Sequence, residues 1–580
     1  MHISVLDHIP DDSKLRAQWN ALALRTRGPQ VFYTWEWAVA VQRAYAATLR
    51  PILFLGYDDD GHLRGVAALE SNGAGPVSFL CAATGDYCDF VVSEGDAATF
   101  VKEAMTALRQ SGQRDIALTN FPEDSPSFAA LRQAARRAGF RTYARTAYEC
   151  AQVRLSELRV PAGAKSPLPR QRMVQRSLKA LGRDGPVTID HHSSFEAIGP
   201  LLPELRHAQA SRLLMNGKIS NLLRPERREF LSELTRLLSS TGWLCFSQMR
   251  AGSRTIAWHY GFRFYGRWSL YQLTFVNDLE KHSPGFVLLF KLIEAAALDP
   301  AMETADLGVG TEAYKDSFAN ASRRTLYVTL HRSLVKHWME TVRYRMAAAI
   351  TARPRVERVA RRLRARIRGL RLRAGKSGMG PTLGWLGSRL LRLIFLREEV
   401  FFYEDGSAGR EPAEGCCIRP MSYEVLGEAA LRSYDDEQTL QYLLRCAMRL
   451  RQGNAEGFVL IDDEGRPVHF AWATPFDGFF LTELNAKVDA PAADCVMLFD
   501  CWTPPEWRGH GYYGQAVSRI AGRLRERGKR PWIFSAASNT ASVRGLEKAG
   551  FQRRYSLVRE RLLGWQRIKR KTPRREAGAE

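Results

Sequence analysis

Between Arg508 and Gly514 the chain reads Arg-Gly-His-Gly-Tyr-Tyr-Gly. An apolar run, Cys495 to Cys501, ends just before it, and a helical pattern follows from about Gln515 to Arg527. A strand that feeds a glycine turn at a helix start aims several backbone N–H groups at one point, and the helix dipole adds to the pull on an anion. Gly509 and Gly511 leave room for a pyrophosphate to come close to the backbone. Arg508 and His510 border the same turn. Read alone, these residues are equally an ordinary surface turn.

The partner segment is Asn539-x-x-Ser542-x-x-x-x-Glu547-Lys548-x-Gly550-Phe551. Together, the two segments resemble the paired signatures of the GNAT N-acetyltransferase superfamily, over roughly residues 396–566. The resemblance implies acetyl-CoA, or another acyl-CoA, as cofactor. It assigns the cofactor contacts to Arg508, Gly509, His510, Gly511, Tyr512, Tyr513, Gly514, Asn539 and Ser542. Two positions depart from the family pattern. Tyr513 stands where the signature has a second small residue, and Leu546 stands where many members have the tyrosine that protonates the departing thiolate. Tyr512, Tyr555 or water would then supply that proton, with Tyr512 taken as the catalytic acid. Acyl transfer to an amine also needs a base, because an ammonium is not a nucleophile. Glu483 and Asp500 are the candidates. Glu483 lies in the apolar run Phe479 to Leu484, where burial would raise its pKa.

These residues need a scaffold. Gly457 to Ile461, an Asp462–Gly465 turn and Val468 to Ala473 read as a hairpin. Strands are expected at Gly478 to Asn485, Cys495 to Cys501 and Pro531 to Ala536, then a helix from Asn539 to Gly550 and a last strand from about Arg554 to Leu562.

The first two-thirds repeats this α+β grammar. A hairpin is expected across Pro51–Leu69 around Asp58-Asp59-Asp60-Gly61, with helices at Ala98 to Ser111 and Phe128 to Gly139. The second of these ends in Ala-Gly-Phe, like the one before Phe551. Arg170-Gln-Arg172…Leu178-Lys179-x-Leu181-Gly182, Ala257-x-His259-x-Gly261, Ser283-Pro284-Gly285 and Gly310-x-x-x-Tyr314-Lys315 resemble the CelD-type acetyltransferases of cellulose and exopolysaccharide synthesis. That family is distantly similar to the Fem peptidyltransferases, which carry two GNAT-like lobes. Trp37 and Gly85-Asp86-Tyr87-Cys88-Asp89-Phe90 fit the first lobe. His259, Ser283, Gly285, Tyr314 and Lys315 become substrate-binding candidates, each with a structural alternative. His259 could be a satisfied strand histidine, Ser283 a plain N-cap and Lys315 a solvated cation. Trp35 and Trp37 could stack on sugars or fill the core.

The chain has 580 residues, 45% hydrophobic and 25% charged, with a net charge of +23. Residues 351–376 carry eleven Arg or Lys and one Glu, a net +10, and residues 567–575 carry six basic residues and no acid. Together they hold +16 of the +23, so the basicity is local. It suits docking to an anionic surface better than a wholly basic nucleic-acid-binding fold. Arg353 to Arg373 has apolar residues at helical spacing, which fits an amphipathic helix on anionic lipid, an RNA-gripping helix or a solvated linker. The nine cysteines show no CxxC pair, so no metal site is expected. The opening Met-His-Ile-Ser-Val-Leu-Asp lacks the features of a secretory signal, and no apolar run spans a bilayer.

The expected architecture is mixed α/β (α+β), with three GNAT-like lobes. Its segments are a first lobe at 1–160, a CelD/Fem-like lobe at 161–332, a basic linker at 333–395, a GNAT domain at 396–566 and a basic tail at 567–580. The expected function is transfer of an acyl group to an amino sugar or related small or sugar-linked precursor of a surface polysaccharide. The expected setting is the cytoplasm, with peripheral contact of 351–376 to anionic membrane. Aminoacyl transfer from tRNA, or a non-catalytic binding role, stands as the alternative, and DNA is not an expected partner.

Overall fold

The computed structural model describes residues 1–73, 75–160, 167–310, 312–351, 395–406, 415–562 and 565–572. The expected amphipathic helix at 353–373 therefore lies outside the described residues. The chain divides into two compact units, Met1–Arg212 with Ser220–Ala349, and Leu213–Ile219 with Ile350–Glu580. Among the described residues no helix is long and apolar enough to cross a membrane.

The first unit opens with β1 (His2–Leu6), β2 (Arg50–Tyr57), β3 (Leu63–Ser71), β4 (Ser78–Phe79) and β5 (Val91–Val92), which form one antiparallel sheet. Helix Ala97–Gln110 packs on it through an apolar face that includes Phe100. The Phe100 ring sits where side chains at Gly56 of β2 and Gly65 of β3 would be, so only glycine fits at those two points. Then come β6 (Asp115–Pro122), β7 (Arg141–Arg154), β8 (Val187–His192), β9 (Leu244–Ala251), β10 (Arg254–Phe264), β11 (Arg267–Phe275), β12 (Thr304–Asp306) and β13 (Ala321–His331). They make an eight-stranded sheet in the order β6-β13-β7-β12-β11-β10-β9-β8.

In the second unit β14 (Phe395–Asp405), β15 (Cys417–Pro420), β16 (Glu456–Ile461), β17 (Pro467–Pro475), β20 (Cys495–Trp502), β21 (Arg530–Ala536), β22 (Phe551–Leu562) and β23 (Trp565–Lys571) form a sheet ordered β15-β16-β17-β20-β21-β14-β22-β23. β18 (Phe479–Leu481) and β19 (Ala486–Val488) make a small separate hairpin.

One pattern occurs three times. A strand leads through a helix to a parallel neighbour, then through a second helix to a further strand of the same direction, antiparallel to whatever pairs between them. Between those last two strands lies a guest. β11 reaches β12 through helix Pro284–Leu298 and pairs with it in parallel. β20 reaches β21 through helix Tyr512–Glu526 in the same way. In the first lobe the parallel link to β6 is the single bridge Val77–Ile116. The guest between β6 and β7 is β13, and the guest between β12 and β13 is β7. The two strands are exchanged, which puts β6 and β7 of the first lobe into the sheet of the second. In the third lobe the guest between β21 and β22 is β14, which comes from before the lobe's first helix. The architecture is mixed α/β with three GNAT-like lobes.

Several local expectations change. β6 and β7, read as parts of a first lobe ending at 160, belong to the sheet of the second. The segment after 332 starts as helix Leu334–Thr351. β23 continues the last sheet into residues read as a basic tail. Gly478 to Asn485 is no continuous strand: β18 ends at Leu481, and residues 482–485 turn back into β19.

Candidate active site

β20 and β21 pair only from Cys495–Leu498 against Arg530–Ile533. Beyond that point β20 bulges. Trp472 of β17 pairs with Phe499 and Phe470 pairs with Trp502, so Ala471 faces both Asp500 and Cys501. Asp500 takes the bend at φ 50°. A bulge re-aims a strand, while β21 continues against β14 as far as Ala536. The parallel strands part, and a cleft of about 1530 Å³ opens there, walled by helices Tyr512–Glu526 and Thr540–Lys548.

The glycine turn forms the mouth of this cleft. Gly511 is the N-cap of helix Tyr512–Glu526 with φ 79°, and no side chain caps that helix. Among the described residues, the three other α-helices between 415 and 562 begin with side-chain caps from Ser422, Asp436 and Asn539. A Cβ on Gly509 or Gly511 would meet nothing within 4 Å, so it is their left-handed backbone that demands glycine. The amides of Tyr512, Tyr513 and Gly514 lie in the first helical turn, where no intrahelical acceptor exists. Six cations line the cleft, Arg508, Arg519, Arg523, Arg525, Arg544 and Lys548, against three acids, Glu483, Asp500 and Glu526. The mouth is built for an anion with several charges.

The structure gives the predicted residues distinct jobs. Tyr513 turns away from the turn. Its ring packs on Gly545, where a Cβ would clash at 2.8 Å, and its hydroxyl lies 2.8 Å from Ser542 Oγ. Burial pushes its pKa far above the ordinary value. Asn539 Oδ1 accepts from the Ser542 amide, so the Asn539 and Ser542 side chains brace the wall of the cleft. Tyr512 stacks on His510 with ring centroids 5.8 Å apart, and burial raises its pKa. His510 Nδ1 and the Arg508 guanidinium turn toward nearby backbone carbonyls. Leu546 is core. So is Tyr555, stacked on Phe402 at 4.7 Å outside the cleft wall.

Of the two base candidates, Asp500 is engaged: Arg449 donates to its Oδ2 at 2.6 Å, while its carbonyl accepts from the Tyr442 hydroxyl. Glu483 lines the cleft from the turn of the β18–β19 hairpin, half-buried rather than sunk in an apolar strand. A residue that sequence reasoning missed also lines it. His469 on β17 is 1% exposed, and its Nδ1 is 2.7 Å from Thr503 Oγ1. Its Nε2 has no partner among the described residues. Burial lowers its pKa to about 3, so the ring is neutral. It sits in a continuous buried apolar run, Pro467 to Ala473, a setting that gave no signal.

Residues 170–316 match the family described as "Acetyltransferase (GNAT) domain", and residues 410–551 match "Acetyltransferase (GNAT) family". The chain carries two GNAT acetyltransferase domains and is an acyltransferase. No curated protein matches it. Among solved structures it is similar to L-PGS from Bacillus licheniformis, at 14% identity, TM-score 0.38, covering 58% of this chain and 98% of that one. FemX compares at 11% identity, TM-score 0.39, covering 57% and 97%. A tandem GNAT protein from the clavulanic acid biosynthesis pathway compares at 11%, TM-score 0.35, covering 57% and 99%.

The first unit, which holds the 170–316 match, places its own candidates differently. His259 is wholly buried on β10, stacked on Trp268 at 4.9 Å, and burial lowers its pKa to about 3. Neither ring nitrogen has a partner among the described residues. Ser283 is the N-cap of helix Pro284–Leu298 at φ 51° and makes no cap bond. Gly285 is glycine because the Phe275 ring fills the space of its Cβ. Trp35 and Trp37 are core; Trp37 donates to Thr84 Oγ1 at 3.0 Å.

Lys315 does converge with other chemistry. The residue is 5% exposed, and its ammonium donates to the Val309 carbonyl at 2.8 Å and pairs with Glu312 at 3.1 Å. Tyr314, beside it, is raised to about 12 by burial. Opposite stands Asp86, on the Gly85–Phe90 loop of the first lobe. Asn120 donates to the Gly85 carbonyl and Tyr271 to the Thr84 carbonyl, which fixes the loop. Gly308, at φ 69°, lets Asp86 approach: a Cβ there would meet its Oδ2 at 2.5 Å. Burial first, then the Asp306 carboxylate, push Asp86 up to about 7, against the pull of Lys315. Asp306 is itself satisfied by Tyr87, Gln152 and the Gly308 amide. A half-buried carboxyl near neutrality beside a buried ammonium suits proton transfer. The sequence could not show it, because Asp86 and Lys315 stand far apart in the chain and feel each other's charge only in the folded unit. Elsewhere Asp58, Asp60 and His62 converge on an exposed turn, where Asp58 Oδ1 accepts the Asp60 and His62 amides.

Proposed function

We propose that the second unit binds acetyl-CoA or a related acyl-CoA and transfers its acyl group to an amine. The observation that carries this reading is the uncapped helix start at Gly511, opening into a cation-lined cleft. The phosphates of the donor lie on the amides of Gly511 to Gly514. The amine attacks the thioester carbon, the new C–N bond forms and the C–S bond breaks. Glu483 takes the amine proton, directly or through water, and Tyr512 returns a proton to the CoA thiolate. Asp500, held by Arg449, shapes the bulge. In the first unit Asp86 accepts the proton of an acceptor amine, and Lys315 balances charge beside it.

The acceptor is an amino sugar or a related precursor of a surface polysaccharide, handled in the cytoplasm. The support is the likeness of the segments from Arg170 to Lys315 to the CelD-type enzymes. Calorimetric titration of the full chain with acetyl-CoA tests the donor. Wild type should bind, and Gly511→Asp, which sets a carboxylate at the mouth, should bind at least about tenfold more weakly. Equal binding by wild type and variant would defeat the assignment of the cleft. If charged tRNA raises the melting temperature and acetyl-CoA does not, an aminoacyl donor replaces the acyl-CoA. Acetylation of nucleotide-linked amino sugars, followed by mass spectrometry, tests the acceptor class.

A further inference from the structure

Helix Leu334–Thr351 is amphipathic the wrong way round. Its inner face is polar and aromatic. Glu340 meets His331 Nε2, the His331 Nδ1 lies 2.9 Å from Asp115, and Lys336 donates to the same Asp115 at 2.7 Å. One turn on, Tyr344 stacks on Tyr143 with centroids 5.6 Å apart and planes 5° apart, while Arg145 lies over both Tyr344 and Tyr327. These contacts fasten the helix to β7 and β13.

The opposite face is apolar and open. Leu334, Val335, Trp338, Met339 and Met346 are between 59% and 65% exposed. At 100° per residue they fall within one stripe. A stripe of this kind, with a tryptophan and two methionines, marks an interaction surface on a folded protein. Single exposed apolar residues are common, but five on one helix face are not.

Charge decides the occupant. Arg343 is exposed at the margin of the stripe and Arg345 is exposed within it, and the only acid of the helix, Glu340, is turned inward. The chain then runs directly into residues 351–376, with their net +10. A second copy would bring the same positive charge against itself, and so would folding the basic segment back over the stripe. A bilayer surface rich in anionic headgroups offers acyl chains to the stripe and negative charge to its margins. Tryptophan is favoured at that boundary.

We propose that helix Leu334–Thr351 docks the protein on an anionic lipid surface, with Leu334, Trp338 and Met339 entering the interface. The helix lies on the surface and does not span it.

The test is flotation of the full chain with vesicles of phosphatidylglycerol and phosphatidylcholine in equal parts, beside vesicles of phosphatidylcholine alone. Wild type should float with the anionic vesicles and stay behind with the neutral ones. Leu334→Gln with Trp338→Gln should partition at least about tenfold less, as should Met339→Gln with Met346→Gln. Their melting temperatures should match wild type, because these side chains contact little of the body. Leu298→Gln, which removes an exposed leucine on another helix, should float normally. Failure of wild type to float with anionic vesicles overturns the proposal. So do variants that are folded and float like wild type. If both variants convert a dimer to a monomer without changing flotation, the stripe belongs to a second copy and the lipid assignment is wrong.

Discussion

The Tyr513 hydroxyl stands 2.8 Å from Ser542 Oγ, tying the first turn of helix Tyr512–Glu526 to the first turn of helix Thr540–Lys548. The aromatic side chain at a position where the family favours a small residue does not crowd the anion site. It is folded against Gly545 and serves as a brace between the two helices that wall the cleft.

Removing the brace should therefore cost stability more than binding. Tyr513→Phe loses one hydrogen bond, worth about 1 kcal/mol, and keeps the ring on Gly545. Thermal melts should show a fall of a few degrees, while the affinity for acetyl-CoA measured by calorimetry stays within about twofold. A large loss of affinity with unchanged melting would mean that the hydroxyl touches the donor instead.

Two buried histidines make stability fall with acid. His259 and His469 are held near 3 in the folded chain by burial, against 6.5 for an ordinary histidine. Below about pH 6.5 the unfolded chain takes up these protons and the folded chain does not, so the native state loses ground as pH drops toward 3. Each histidine adds a slope of about 1.4 kcal/mol per pH unit within that window. Denaturant titrations from pH 7 to pH 5 should show the decline. His259→Asn and His469→Asn should each flatten it, whatever their effect at pH 7.

Asp86 acts with the opposite sign. Its folded pKa of about 7 lies above the usual 3.8. Between those values the folded chain keeps a proton that the unfolded chain has released, so this contribution weakens as pH rises and is least favourable above 7. Asp86→Asn should gain in melting temperature relative to wild type on going from pH 5 to pH 8. If Asp86 accepts the acceptor proton, the variant also loses the limb of the pH–rate profile near 7. A limb that persists in the variant would assign that proton to another group.

The parts of this molecule that were legible in its sequence are the local ones. The turn at Arg508–Gly514 and the segment that opens at Asn539 carry their signatures within a few residues, and the structure puts both on one cleft. Glu483 was misplaced because an apolar run, Phe479 to Leu484, reads as a strand although a tight hairpin interrupts it. The influence of Lys315 on Asp86 and the swap of β7 with β13 were invisible for a different reason. Their partners lie more than 150 residues apart, and no periodicity records which distant strand fills a gap. Helix Leu334–Thr351 was read as linker because its apolar face does not point to a core.

The guest strand β14 sets the length of any active fragment of the second unit. The family match begins at residue 410, after β14 ends at Asp405. A fragment from 410 to 572 would leave β21 and β22 with open inner edges, which invites strand pairing between molecules. One from 395 to 572 closes the sheet. Size-exclusion chromatography should show the longer fragment as a discrete species and the shorter one as aggregate. A monodisperse, CoA-binding fragment from 410 would show that the guest strand is dispensable.

The exchange of β7 and β13 has a consequence in time as well as in space. While the chain is being made, β7 leaves the ribosome nearly 170 residues before the start of β13. Through that interval its lobe has β6 and β7 in hand but nothing to lay between them. The first half of the protein must wait, partly open, for a strand that is still being synthesised. Neither lobe's set of strands is complete without one from the other.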